Sequence, residues 1–134
     1  MKDQLKTGTT TLGIVCKDGV VLVSDKRIAS KLVVAESIEK MFKIDDHIAA
    51  TAAGIISDAR VLVDRTQLKA QQHAVTYDSK IDVLSIVKDM CDLKQICTQS
   101  AGLRPFGVSM LVCGVEEDGT AKLFLTEPYG LYFQ

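Results

Sequence analysis

A short hairpin near the N-terminus constrains this chain most. Thr9 to Val15 is rich in Thr, Leu, Ile and Val and reads as a strand. Lys17-Asp18-Gly19 follows, and an Asp-Gly pair favours a tight turn because both residues tolerate positive φ. Val20 to Asp25 is the returning strand. Its apolar residues, Val20 to Val23, are continuous rather than alternating, which predicts cover on both faces. The hairpin therefore predicts a sheet inside a layered structure.

Ile38 to Ile44 ends in an alternating, strand-like Met41-Phe42-Lys43-Ile44, and Asp45-Asp46-His47 reads as a polar turn. Ile48 to Ala53 is a strand of small residues closed by Gly54, on which a helix can pack closely. Ile55 to about His73 reads as that helix, capped by Ser57 or Asp58. Ile55, Ala59, Leu62, Val63 and Thr66 form its apolar face. Thr76 to Ser79 reads as a loop, and Asp82 as the cap of a second helix to about Gln99. The apolar stripe of that helix runs through Val83, Val87, Met90, Cys91 and Cys97. Two amphipathic helices in succession predict an antiparallel pair on one sheet. Gly107 to Val115, Lys122 to Thr126 and Leu131 onward supply further strands, separated by Glu117-Asp118-Gly119 and Pro128-Tyr129-Gly130. The class is α+β, with the helices grouped on one face.

Composition bounds function by exclusion. The 134 residues fit a single domain, and residues 1–134 show no internal linker. Sixteen Lys and Arg against seventeen Asp and Glu argue against a dedicated nucleic-acid surface. No apolar run approaches the ~20 residues of a membrane helix, and the first residues do not resemble a signal peptide. Cys16, Cys91, Cys97 and Cys113 are widely spread and read as free thiols of a reducing cytosol, without ligand spacing for zinc. No glycine-rich phosphate loop is present, and no cofactor is implied.

The run Gly8-Thr9-Thr10-Thr11 could carry chemistry. Cleavage after Gly8 would give Thr9 a free α-amine able to act as its own base, with Lys40 and Asp25 supplying the cation and the acid that orients it. The same run also serves as an ordinary strand start. His47 and His73 read as solvated surface residues. In Arg104-Pro105-Phe106-Gly107, Pro105 fixes the entry to a buried strand and Gly107 permits close approach. An Arg on so rigid a loop suits a fixed ion pair, at an interface between subunits or at an ordinary loop-to-strand junction.

These residues together carry a resemblance. Gly8 to Ile14, Lys17 to Leu22 and Ser24-Asp25-Lys26-Arg27 resemble the opening of a proteasome subunit. Ser37-Ile38-Glu39-Lys40, Ile44 to Ile48, Gly54 with Ser57 to Asp64, and Thr98-Gln99 with Gly102 to Ser109 resemble the alpha type, the last being the most specific. The likeness covers nearly the whole chain and is nearest to archaeal members. It implies a four-layer αββα sandwich of the N-terminal nucleophile hydrolase type, here incomplete: a partial domain without the gate segment and the later half. It also implies a cytoplasmic, non-catalytic subunit of a seven-membered alpha ring. That ring stacks on beta subunits and receives the C-terminal tails of regulatory ATPase particles or other activators. On this resemblance Lys40 receives the tail carboxylate, and Gly8, Gly54 and Ile55 line the same pocket. Thr9, Asp25 and Lys40 also match the catalytic positions of the related beta type, and Arg104 and Phe106 are interface candidates.

Overall fold

The structure is a computed structural model that describes residues 9–26 and 39–134. The described elements are β1 (Thr11–Cys16), β2 (Gly19–Ser24), β3 (Met41–Asp45), β4 (Ile48–Gly54), α1 (Ile56–Tyr77), α2 (Val83–Gln99), β5 (Val108–Val115), β6 (Ala121–Thr126) and β7 (Tyr132–Phe133). The strands β3 to β7 form one antiparallel sheet whose spatial order follows the sequence, and β1 and β2 pair as a separate hairpin. Both helices lie in the connection between the neighbours β4 and β5. The chain is α+β as expected, with three layers among the described residues: helix pair, five-stranded sheet and hairpin.

Residues opposite one another in a ladder share a face. Ile48, Ala50 and Ala52 of β4 lie opposite Gly114, Val112 and Met110 of β5, and this face meets the helices. Ala50, Ala52, Met110 and Val112 are fully buried there, with Ala59 and Leu62 of α1 and Val83, Ile86, Val87 and Met90 of α2. Each large apolar side chain buried in this layer contributes about 1.5–3 kcal/mol. The alanines let α1 approach, as the small-residue strand predicts. On the other face the hairpin settles onto the sheet through Gly13, where a Cβ would meet both Leu123 methyls at 2.8 Å.

Several local expectations are corrected. The hairpin pairs Cys16 with Gly19, so its link is Lys17-Asp18, and neither Asp18 nor Gly19 takes positive φ. Only one side of the hairpin is covered by described residues: Leu12, Ile14, Val21 and Val23 on the other side are between 48% and 56% exposed. The third strand begins at Met41, and Ile38 lies outside the described residues. Neither Ser57 nor Asp58 caps α1. Ile55 occupies the cap position without a side-chain bond, and the helix runs past His73 to end on Asp78 at φ 49°. Thr76 and Tyr77 therefore belong to the helix. Asp82 does cap α2, accepting the Ser85 N–H at 3.2 Å.

The histidines are not simple solvated residues. The His47 side chain is 9% exposed, and its Nε2 lies 2.6 Å from the Ile81 carbonyl, tying the β3–β4 turn to the approach to α2. His73 Nδ1 lies 3.2 Å from the Ser79 carbonyl, and its ring packs on Tyr77. Asp45 and Asp46 act as turn residues, the Asp45 carboxylate accepting the Asp46 N–H at 2.7 Å. All four cysteines are free, Cys91 and Cys113 being buried. Among the described residues no helix is long and apolar enough to cross a membrane.

Candidate functional site

Antiparallel topology gathers the singled-out residues at one end of the layers. The start of β1, the end of β2, the start of β3, the end of β4 and the start of β5 all lie at this end. Lys40 stands just before β3. Its carbonyl accepts the Ala52 N–H and the Thr51 hydroxyl, each at 3.0 Å. Backbone pairing therefore fixes where the side chain starts, and burial fixes where it goes, since Lys40 is only 5% exposed.

The Lys40 ammonium donates to Asp25 Oδ1 at 2.8 Å and to Thr9 Oγ1 at 3.0 Å. Asp25 is held in turn by the Thr10 N–H on Oδ2 at 2.8 Å, and donates its own N–H to the Thr10 carbonyl at 3.2 Å. Thr9, Asp25 and Lys40, singled out from sequence, thus form one cluster. A buried ammonium between a carboxylate and a hydroxyl can orient that hydroxyl or attract a further anion.

Gly54 closes β4 at φ +124°, and a Cβ there would stand 2.4 Å from the Gly107 carbonyl oxygen. Only glycine fits this corner. The Ile55 N–H donates to that same oxygen at 2.9 Å, while the Ile55 side chain rests on Gly107 and stays 38% exposed. Gly107 therefore permits the close approach expected of it.

Arg104 makes its fixed ion pair within the chain. Its Nη1 and Nη2 donate to Asp58 Oδ2 and Oδ1 at 2.9 and 2.8 Å, and Gly107 N–H adds a bond to Oδ2 at 2.9 Å. The Arg104 hydrogen bonds hold the Asp58 carboxyl below the usual carboxylate range, against the cost of partial burial and with help from Gly107. Phe106 packs half-buried against the helix-side core. Gly8 lies outside the described residues. Among the described residues no cluster of three or more His, Cys, Asp and Glu could hold a metal.

Sequence reasoning missed two residues. Asp58 was expected as a helix cap, and its partner lies 46 residues away, a separation no local pattern reveals. Lys94 was passed over, although it continues the apolar stripe of α2 four residues beyond Met90. A lysine on such a stripe is the signal that could have exposed it.

The family model described as Proteasome subunit matches residues 5–134. The proteasome subunit alpha of Methanocaldococcus jannaschii is 51% identical over 129 residues, covering 96% of this chain and 49% of that protein. That of Thermococcus sibiricus is 52% identical over 133 residues, covering 99% and 50%, and that of Archaeoglobus fulgidus is 50% identical over 129 residues, covering 96% and 52%. The chain spans about half the length of these relatives. A match across nearly all of its residues establishes that the chain belongs to the proteasome subunit family.

Proposed function

We propose that this chain acts as a non-catalytic alpha-type subunit of a proteasome core particle in the cytoplasm. It joins a seven-membered alpha ring, stacks on beta subunits and helps control substrate entry. The supporting observation is identity near 50% to archaeal alpha subunits over nearly the whole chain. Lys40, Gly54 and Ile55 form the wall that takes the C-terminal carboxylate of an activator tail; Gly8, assigned to the same pocket by resemblance, lies outside the described residues. The ammonium supplies charge, already set by Asp25, and Ile55 supplies a partly exposed apolar surface at the same end of the layers. Arg104 is 66% exposed despite its bonds to Asp58, so it and Phe106 can also meet a neighbouring subunit.

Native mass spectrometry of the chain, alone and with an archaeal proteasome beta subunit, tests this reading. The expected result is a seven-fold assembly containing the chain uncut before Thr9. A monomer in both mixtures would overturn the ring role. A chain beginning at Thr9 and labelled there by an epoxyketone would replace it with a threonine hydrolase.

A further inference from the structure

The corner carrying Ile55 is held by a closed set of bonds that reaches well outside the proposed pocket. Ile55 N–H donates to the Gly107 carbonyl at 2.9 Å, Gly107 N–H to Asp58 Oδ2 at 2.9 Å, and Asp58 N–H back to the Ile55 carbonyl at 3.1 Å. This ring joins the first turn of α1 to the approach to β5. Its one side-chain member, Asp58, would be free to rotate without a further anchor. Arg104 supplies the anchor through two bonds, one to each carboxylate oxygen, which together hold the carboxylate in place.

We infer that Arg104 and Asp58 are positioning residues that set the Ile55 side chain against Gly107, and through it the apolar part of the pocket proposed above. Two observations converge on this. The ring carries no side-chain cap of its own, because the cap position of α1 is Ile55. The seat under Ile55 is also tight: a Cβ on Gly107 would lie 2.6 Å from Ile55 Cδ1. A small rotation of Asp58 moves Gly107, and Ile55 cannot stay where it was. The consequence for tail binding rests on the pocket reading proposed above; the positioning of Ile55 does not.

The test uses the assembled protein labelled at isoleucine δ1 methyls. Arg104→Lys keeps the charge and loses the two-pronged geometry. It is expected to shift the Ile55 methyl resonance while leaving that of Ile86, on the buried face of α2, in place. It is also expected to weaken binding of a synthetic peptide ending in a hydrophobic residue, Tyr and one further residue by about threefold to tenfold. Arg65→Lys, which disturbs the separate Arg65–Asp89 pair, should change neither. Should Arg104→Lys fail to fold, Asp58→Asn keeps the side-chain shape, weakens its bonds to Arg104 and Gly107, and should move the same methyl. An unmoved Ile55 methyl overturns the inference. A moved methyl with unchanged peptide affinity upholds the positioning and overturns its role in docking. A wild-type protein that binds no peptide removes the pocket reading, and the methyl shift alone then decides the inference.

Discussion

Among the described residues two lysines are almost wholly removed from solvent, and they are kept there in different ways. Lys40 is 5% exposed, and its ammonium faces the Asp25 carboxylate and the Thr9 hydroxyl. Lys94 on α2 is fully buried. It donates to the Val108 carbonyl at 3.1 Å, the Thr126 hydroxyl at 3.0 Å and the Glu127 carbonyl at 3.3 Å. Those three oxygens are neutral. Burial pushes the Lys94 pKa down to about 8, offset only partly by Cys91 and Glu127. An ammonium with a counter-charge at a sheet end suits binding. One solvated by neutral oxygens works as a clasp, holding α2 to β5, β6 and the turn that follows.

The largest expected effect is on the paired lysine. Lys40→Ala should weaken binding of the tail peptide by about 2–5 kcal/mol in an intact ring, because the tail carboxylate loses a desolvated partner. Isothermal titration checks this, and unchanged affinity would remove Lys40 from the pocket.

The clasp should announce itself through pH. The folded Lys94 pKa of about 8 lies below the unfolded value of 10.5, so between them the unfolded chain binds more protons. The burial cost is therefore complete below about 8 and is relieved as pH rises toward 10.5, by about 3 kcal/mol over the window. Cys91 and Cys113 act oppositely. Burial raises both thiols above 9.0, so their contribution is present below that pH and fades above it. Urea unfolding from pH 7 to 10.5, wild type against Lys94→Met, isolates the lysine. Parallel pH curves would break the comparison.

How far each lysine was legible follows from what surrounds it. Lys40 was readable as a candidate site residue because the motif around it resembles a known family, and Thr9 and Asp25, which it meets in the fold, sit in similar motifs. The strands around it were also readable, since β4, β5 and the helix pair follow from apolar runs and periodicity. Lys94 was not readable as buried, because its three oxygen partners include two backbone carbonyls, which carry no residue signature. The Arg104–Asp58 pair failed for a related reason: the fork was expected, but its partner was set by tertiary contact. Continuous apolar residues in β2 signalled two covered faces, while the described chain covers one.

The comparison sharpens at the hydroxyls. Thr126 Oγ1 accepts from Lys94 and donates to the Met110 carbonyl at 3.3 Å, all within the core. Thr126→Val keeps the shape and removes one of the three neutral oxygens that hydrogen-bond this ammonium. It should cost about 1.5–3 kcal/mol in urea unfolding at pH 7, the range of hydrogen bonds to charged groups, and less at pH 10, where Lys94 has shed its proton.

Thr9→Val is the matched change at the other lysine and the smallest expected effect. It also removes one hydroxyl from a buried ammonium, at a similar 3.0 Å. Here the Asp25 carboxylate remains at 2.8 Å, and Asp25 keeps the Thr10 N–H that orients it. The charge stays compensated, so the loss is that of an ordinary hydrogen bond, about 0.5–1 kcal/mol. Because Asp25 and not Thr9 carries the compensation, the tail-peptide affinity should also hold. Equal costs for Thr9→Val and Thr126→Val would mean that the carboxylate does not distinguish the two lysines, and the division between binding site and clasp would then have to rest on position alone.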